Sequence, residues 1–232
     1  MLLAQCALPI AEVLLPVDFK LYLITDRRQV KIPLVAAVRL ALEGGVRSVQ
    51  LREKDLPVRE LIALSQEMRT LTNEFGARLF INDRVDVAVA VNADGVHLGH
   101  KSMPVEAVRK VVGNNMLIGV STHNPAEAKA AEAGGADFIT FGPIFETPSK
   151  AELGHPVGIE ILKELIYEIN IPFYALGGIK SGNISQILCA GASGVAMISA
   201  ILAAEDIKNA SSKLIEAITF FDKINCQSCA PR

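Results

Sequence analysis

The chain has 232 residues, 50% of them hydrophobic and 21% charged, and its formal net charge is −2. This composition is typical of a globular chain of one or two domains. Its 23 basic and 25 acidic residues are dispersed, which argues against a nucleic-acid binder. Polar residues interrupt every apolar stretch before it reaches the roughly 18 residues of a membrane-spanning helix. We therefore expect a soluble protein that binds neither nucleic acid nor membranes.

The two ends of the chain differ from the rest. Residues 1–17 are mostly apolar but lack the basic start of a secretory signal, and they predict a flexible lead-in. Residues 223–232 predict a polar tail, in which Cys226 and Cys229 have metal-like spacing but no second pair to complete four ligands. Two further scattered cysteines do not make a disulfide framework, which points to the reducing cytoplasm.

Short β-branched runs recur along the chain and alternate with stretches that carry apolar residues at helical spacing. The predicted strands are residues 20–25, 47–52, 78–82, 95–98, 116–121, 137–142, 172–176 and 193–199. The predicted helices between them include 35–42, 61–71, 126–133, 159–169 and 184–190. Asn124-Pro125 is a helix start signal, and paired glycines such as Gly134-Gly135 are stop signals.

Strict alternation of strands and helices predicts parallel strands joined by right-handed crossovers. Eight units in 232 residues give about 29 residues per unit, close to the roughly 30 of one βαβ step. We therefore predict one α/β domain, a (β/α)8 TIM barrel over residues 18–222. An open doubly wound sheet is the alternative, disfavoured because Asp26-Arg27-Arg28 stands where a glycine-rich dinucleotide turn would be.

Active sites of such barrels lie at the carboxyl ends of the strands. Gln50, Arg52 and Lys54 alternate at the end of the second strand, so their side chains share one face. Two cations on one face suit a diphosphate, which Arg grips with two bonds while Lys adds a compact charge. The alternative is that Arg52 and Lys54 pair with Glu53 and Asp55 at the surface.

Asn82 and Asp83 end the third strand. A carboxylate facing a phosphate cluster is what Mg²⁺ requires when it bridges a protein and a diphosphate. We therefore predict Asp83 as a magnesium ligand, with capping of the helix after it as the alternative.

Gly177 and Gly178 follow the seventh strand, and Ser199 opens a helix after the eighth. This pattern matches the phosphate site of barrels, where main-chain amides hold the anion. The long connection after the sixth strand carries Thr147, Ser149 and Lys150, which could close over phosphates.

Two histidines also belong to strand ends. His123, at the end of the fifth strand, is a candidate general base or hydrogen-bond donor. His97 is predicted to pack in the barrel wall.

At these residues the sequence resembles the thiamine phosphate synthase family and its sister group, the TenI thiazole tautomerases. The segments that carry the resemblance follow one another around the predicted barrel. They are Leu21-Tyr-Leu-Ile-Thr-Asp26, Gln50-Leu-Arg-Glu-Lys54, Phe80-Ile-Asn-Asp83, Gly95-Val-His-Leu-Gly99, Gly119-Val-Ser-Thr-His123, Phe141-Gly-Pro-Ile-Phe145, Thr147-Pro-Ser-Lys150 and Ala175-Leu-Gly-Gly-Ile179.

The resemblance implies an enzyme of thiamine biosynthesis that joins hydroxymethylpyrimidine diphosphate to a thiazole phosphate and releases pyrophosphate. It implies that the pyrimidine diphosphate is held by Gln50, Leu51, Arg52, Glu53, Lys54, Asn82, Ser121 and Lys150, with Mg²⁺ on Asp83. It places the thiazole phosphate on Thr147, Pro148, Ser149, Gly178, Ile198 and Ser199. Arg52, Lys54, Lys150 and His123 are the candidate catalytic residues.

One position departs from the family pattern. Synthases of this family carry a second metal-binding aspartate where this chain has Ser102, and Lys101 beside it adds positive charge. This departure motivates two alternatives: a TenI-like tautomerase with His123 as the base, and a phosphate-binding regulator without catalysis. The presence of Arg52, Lys54 and Asp83 favours the synthase. The sequence leaves the oligomeric state open, a homo-oligomer included.

Overall fold

The computed structural model describes residues 17–146 and 156–228. Eight parallel strands form a closed barrel in the order β1 to β8, which confirms the predicted (β/α)8 fold. The strands are β1 Leu21–Ile24, β2 Ser48–Leu51, β3 Arg78–Asn82, β4 Gly95–Leu98, β5 Leu117–Thr122, β6 Phe138–Phe141, β7 Phe173–Leu176 and β8 Gly194–Met197.

Helices cover the outside of the barrel. In the described part of the chain they are α1 Leu34–Glu43, α2 Val58–Glu74, α3 Val85–Ala90, α4 Val105–Val112, α5 Pro125–Ala133, α6 Glu160–Leu165, α7 Ile184–Cys189, α8 Ser199–Leu202 and α9 Ile207–Ser228. Outward-facing strand residues such as Leu23 and Val49 are fully buried against these helices. Burial on both faces explains why the strands read as nearly continuous apolar runs.

Two predicted boundaries differ from the structure. The helix expected over residues 159–169 ends at Leu165, because the amides of Tyr167 and Glu168 bond carbonyls three residues back and form tight turns. The last helix continues past residue 222 to Ser228, so the start of the expected polar tail is helical. The predicted lead-in lies outside the described residues except for Val17, which packs against the barrel interior.

Aromatic rings fill the part of the barrel interior that is nearer the amino-terminal ends of the strands. Tyr22, Phe80, Phe138 and Tyr174 are at most 1% exposed, and their ring centroids lie 5.2 to 6.3 Å apart. Phe19 closes the amino-terminal end and stacks on Tyr174 at 4.9 Å. Barrel interiors are more commonly filled by branched aliphatic side chains. Rings of this size need space that the neighbouring strands must leave.

Glycines on the neighbouring strands leave that space. Gly95 pairs with Phe80, and Gly194 pairs with Tyr174 in the strand register. A Cβ atom at Gly95 would lie 2.5 Å from the Phe80 ring, and one at Gly194 would lie 2.7 Å from the Tyr174 ring. Gly119 stands in the same relation to Phe138. Phe80, Phe138 and Tyr174 are thus each matched by a glycine on a neighbouring strand.

This packing predicts a large effect for a small substitution. Gly95→Ala should lower the free energy of unfolding by about 3 kcal/mol, because the new methyl group meets Phe80 and the Leu117 carbonyl oxygen at 2.5 and 2.6 Å. Gly182→Ala is the matched control, since a Cβ there meets nothing within 4 Å, and it should change stability by no more than about 0.5 kcal/mol. Urea unfolding of both variants measures the difference. Equal stability of the two would show that the interior is not close-packed at Gly95.

No helix among residues 17–146 and 156–228 has the length and apolar character needed to cross a bilayer.

Candidate active site

The carboxyl ends of all eight strands lie at one end of the barrel, called the mouth below, because the strands are parallel and the barrel is closed. The predicted site residues on β2, β3 and β5 therefore share this end with the glycines after β7 and the start of α8. The described residues of both predicted anion sites therefore lie at the same end of the molecule.

Gln50 lies inside the mouth and is 2% exposed. Its Nε2 donates to Asn82 Oδ1 at 2.9 Å, and Asn82 Nδ2 donates to Asp83 Oδ2 at 2.8 Å. The Oε1 atom of Gln50 is buried and has no hydrogen-bond partner among the described residues. A buried acceptor without a donor is costly, so this oxygen is suited to an N–H group of a ligand.

Arg27 pairs with the two carboxylates, Glu53 and Asp55, that could have neutralised the charges of Arg52 and Lys54. It bonds Glu53 Oε2 at 3.1 Å and both carboxylate oxygens of Asp55 at 2.7 and 2.8 Å. The alternative in which Arg52 and Lys54 pair with these two acids is therefore wrong. Neither cation makes a salt bridge with a described residue. Two basic side chains thus remain at the end of β2 for an anionic ligand.

Glu53 belongs to the scaffold of this loop. Its carboxylate is 5% exposed and accepts bonds from Thr25 Oγ1 at 2.7 Å and from the Arg27 amide at 3.1 Å. Thr25 Oγ1 in turn accepts a bond from the Arg52 amide at 2.9 Å. Leu51, 1% exposed, packs in the layer between barrel and helices. The side chain of Leu51 is therefore part of the core, and Glu53 fixes the backbone of Arg52 through Thr25.

The charges around Lys54 have a measurable consequence. Burial, and then the nearby charge of Arg52, lower the pKa of the Lys54 amine below its usual value, while Asp83 acts in the opposite direction. Lys101 adds to the lowering. The charges of Arg52, Lys54, Lys101 and Asp83 therefore interact across the mouth, and three of the four are positive. Such an excess attracts a ligand with several negative charges.

Asp83 adopts a backbone conformation that few non-glycine residues adopt, with φ at +60°. Its Oδ1 accepts bonds from the Gly99 amide at 3.3 Å and from the Ser102 hydroxyl. Helix α3 begins at Val85, and no side chain caps it. The alternative role of Asp83 as a helix cap is therefore wrong. Strained conformations of this kind cluster at functional sites.

The residues around Asp83 fit a particular kind of magnesium site. Mg²⁺ is usually bound by one or two carboxylates, while substrate phosphates and water complete its octahedron. Asp83 supplies one carboxylate, and the Ser102 hydroxyl lies against it. The described ranges contain no group of three or more His, Cys, Asp or Glu that could hold a metal. The donor set therefore fits Mg²⁺ that is shared with a diphosphate.

The paired glycines after β7 have a packing reason for being glycine. Gly177 and Gly178 have φ angles of +100° and +65°. A Cβ atom would lie 2.7 Å from Pro143 at the first position and 2.6 Å from the Phe145 Cβ at the second. The turn is thus pressed against residues 143–146, which follow β6. After the next strand, Ile198 is half-buried and Ser199 is exposed. Side chains are excluded from this turn, so it presents mainly backbone.

His123 lies half-buried at the end of β5. Its Nδ1 is 2.5 Å from the Gly142 carbonyl oxygen, and its amide donates to Glu127 Oε2 at 2.8 Å. Because a carbonyl only accepts hydrogen bonds, Nδ1 carries a proton. The residue after β6 therefore fixes the orientation of the imidazole, and in the neutral ring the lone pair is on Nε2.

A polar layer that the sequence analysis did not anticipate joins β4, β5 and β6. His97 is 1% exposed, as expected for a packed residue, but its Nε2 lies 3.0 Å from Ser121 Oγ and 3.4 Å from Thr140 Oγ1. Tyr22 Oη lies 3.3 Å from His97 Nδ1. Alternation along each strand places these residues on the inner face, which was the available signal. Thr147, Pro148, Ser149 and Lys150 lie outside the described residues.

Comparison with known proteins agrees with this geometry. The family model described as thiamine monophosphate synthase matches residues 21–201. A putative thiamine-phosphate synthase of Geobacter sulfurreducens is 58% identical over 86% of this chain and 94% of its own length. A thiamine-phosphate synthase of Pyrococcus horikoshii is 46% identical over 84% and 92%. A solved thiamine phosphate pyrophosphorylase of Pyrococcus furiosus, 40% identical, superposes with a TM-score of 0.81 and covers 87% of this chain and 96% of that one. The chain therefore belongs to the thiamine monophosphate synthase family.

Proposed function

We propose that this chain is a thiamine-phosphate synthase, a transferase of thiamine biosynthesis. It joins hydroxymethylpyrimidine diphosphate to a thiazole phosphate, giving thiamine phosphate and pyrophosphate. The observation that carries the proposal is the pair of cations after β2, which Arg27 leaves free by taking Glu53 and Asp55. Family membership over nearly the whole barrel supports it.

The reaction needs a site that stabilises a leaving diphosphate. The bond between the pyrimidine methylene carbon and the diphosphate oxygen breaks, and its electron pair leaves with the diphosphate. Arg52 and Lys54 stabilise this growing negative charge with hydrogen bonds and positive charge. The thiazole nitrogen then donates its lone pair to the methylene carbon and forms the new C–N bond. No covalent intermediate with the protein is needed, so positioning and electrostatics suffice.

We assign the pyrimidine ring to the inner part of the mouth. Oε1 of Gln50, which has no partner among the described residues, accepts a hydrogen bond from the amino group of the pyrimidine. Asn82 holds the amide of Gln50 in place. Asp83 would hold Mg²⁺, which when bound neutralises the diphosphate. The Gly178 turn and the start of α8 at Ile198 and Ser199, with Thr147 and Ser149, are assigned to the thiazole phosphate. Lys150 is assigned to the diphosphate.

If Gln50 binds the amino group of the pyrimidine, replacing it should weaken substrate binding. Gln50→Met keeps the side-chain length but removes the acceptor, together with the Nε2 that donates to Asn82, so it should lower kcat/KM for the pyrimidine substrate at least about tenfold. Its free energy of unfolding should fall by no more than about 1 kcal/mol, because loss of the bond to Asn82 is partly offset by removal of a buried oxygen that lacks a donor among the described residues. Steady-state kinetics and urea unfolding test both parts. A variant with unchanged kcat/KM would contradict the assignment.

The direct test of the function is an assay of the purified chain with both substrates and Mg²⁺. Stoichiometric pyrophosphate and thiamine phosphate are expected, and omission of either substrate should abolish thiamine phosphate formation. The tautomerase alternative rests on one observation, the bond from His123 Nδ1 to the Gly142 carbonyl oxygen, which leaves Nε2 as the candidate base. Isomerisation of a thiazole phosphate carboxylate that His123→Ala stops, without coupling of the two substrates, would replace the synthase with the tautomerase. Binding without turnover of either kind would leave the regulator.

A further inference from the structure

The polar layer inside the barrel sets the direction of one hydroxyl group at the mouth. Tyr22 Oη, the two nitrogens of His97, and Ser121 Oγ form a continuous chain, with separations of 3.3 and 3.0 Å. Thr140 Oγ1 lies 3.4 Å from both His97 Nε2 and Ser121 Oγ. The chain runs from the fully buried aromatic interior to Ser121, which is half-buried at the mouth.

The position of each hydrogen atom in this row of hydrogen bonds can be worked out from the groups that it joins. Burial raises the pKa of the Tyr22 hydroxyl well above its usual value, so the phenol keeps its hydrogen. The acceptor within reach of that hydroxyl in the described interior is His97 Nδ1. If Nδ1 instead carried a hydrogen, the O–H of Tyr22 would be buried without an acceptor, which is costly. Tyr22 therefore donates to Nδ1, and the proton of the imidazole is on Nε2.

This tautomer determines what Ser121 does. Nε2–H of His97 donates to Ser121 Oγ, and Thr140 Oγ1 donates to the same oxygen. With both lone pairs of its oxygen engaged, Ser121 retains one group for a ligand, its own hydrogen. A methyl group at Gly119 would lie 2.6 Å from His97 Nδ1, so the imidazole fits only because residue 119 is a glycine.

We propose that Tyr22 and His97 are positioning residues that turn the hydroxyl hydrogen of Ser121 toward the mouth, so that Ser121 meets the substrate as a hydrogen-bond donor. The consequence for the substrate rests on the proposed function: the atom that faces Ser121 is an acceptor, a diphosphate oxygen or a ring nitrogen of the pyrimidine. The tautomer itself is independent of any substrate.

The first test is therefore made on the free protein. The chain is labelled with ¹⁵N in its four histidines, and the two ring nitrogens of His97 are assigned by comparison with His97→Gln. Long-range ¹H–¹⁵N spectra should show Nε2 protonated and Nδ1 unprotonated. A His97 with Nδ1 protonated would overturn the proposal, because Ser121 would then donate to His97.

The second test compares two buried tyrosines that differ in their partners. Tyr22→Phe removes the donor to His97 and keeps the ring, so KM for the pyrimidine diphosphate should rise about fivefold and the His97 spectrum should show a mixture of tautomers. Tyr174→Phe is the matched control, because its hydroxyl donates to the Phe19 carbonyl at 2.7 Å, away from the mouth. It should leave KM and the tautomer unchanged.

The outcomes separate the two proposals. Equal effects of Tyr22→Phe and Tyr174→Phe on KM would overturn the positioning role, since both variants then act through packing alone. A wild-type chain that releases no pyrophosphate would contradict the proposed function. The tautomer of His97, which is measured without substrate, would still decide whether Ser121 is held as a donor.

Discussion

Asp83→Asn is expected to reduce Mg²⁺-dependent pyrophosphate release by about 10³-fold, a larger loss than for Arg52→Gln. Asn has nearly the same shape and tolerates the positive φ of this position. The variant therefore removes the negative charge without imposing new backbone strain. Steady-state release of pyrophosphate over a range of Mg²⁺ concentrations measures the loss, which should not be recovered at high Mg²⁺.

Asp86→Asn is the matched control. Asp86 lies three positions further along the chain, pairs with Arg84 and has a side chain that is 65% exposed. Its replacement should leave pyrophosphate release within about twofold of the wild type, as is usual for exposed ion pairs. Retained activity in Asp83→Asn, or an equal loss in both variants, would contradict the role given to Asp83.

Arg52→Gln is expected to lower kcat/KM for the pyrimidine diphosphate by about 10²-fold. The guanidinium makes no salt bridge with a described residue, and the proposed role gives its charge to the diphosphate. Arg52→Lys retains the charge but not the two-bond geometry, and it should fall between the wild type and Arg52→Gln. Steady-state kinetics with varied pyrimidine diphosphate at saturating thiazole phosphate measures these ratios.

Arg28→Gln provides the control for this series. Arg28 lies in the β1–α1 connection, its side chain is 73% exposed, and it bonds Asp26 at 3.0 Å. Its loss removes the same charge from the same end of the barrel, but from an exposed side chain that is already paired with Asp26. If Arg28→Gln and Arg52→Gln lowered kcat/KM alike, the effect would come from general electrostatic attraction, and Arg52 would not contact the diphosphate.

The fold was predictable because local patterns determine it. The eight apolar runs, such as residues 78–82 and 95–98, are buried on both faces and carry their signal in consecutive residues. The interior could not be predicted in the same way. The match of Gly95 to Phe80 depends on the register of two strands, which is set by the closure of the whole barrel.

The candidate site was predictable at the level of which residues end each strand. Its electrostatics were not, because the partner of Glu53 and Asp55 is Arg27, which lies 26 and 28 residues away in the chain. Adjacent charges such as Arg52 and Glu53 suggest a local pair, whereas the β1–α1 turn places a distant cation between the two acids. The left-handed conformation of Asp83 also lacks a sequence signal, since Asp is most often right-handed or extended.

The departure at Ser102 acquires a structural meaning. Ser102 contacts the candidate metal ligand, because its hydroxyl donates a hydrogen bond to Asp83 Oδ1. The Gly99 amide donates to the same oxygen. The serine thus orients the carboxylate of Asp83, where a second carboxylate would have repelled it. If Asp83 holds Mg²⁺ as proposed, the diphosphate would have to supply more of the metal's ligands than in a site with two carboxylates.

The central claim is that a basic site after β2 and a main-chain site after β7 open into the same mouth and hold the two anionic parts of the reaction. A crystal structure of the chain with thiamine phosphate, pyrophosphate and Mg²⁺ tests it most directly. The account predicts pyrophosphate on Arg52 and Lys54, Mg²⁺ between it and Asp83, and the phosphate ester on the amides of Gly178 and Ser199. Pyrophosphate bound instead at Arg27 and Arg28, in the connection after β1, would contradict it.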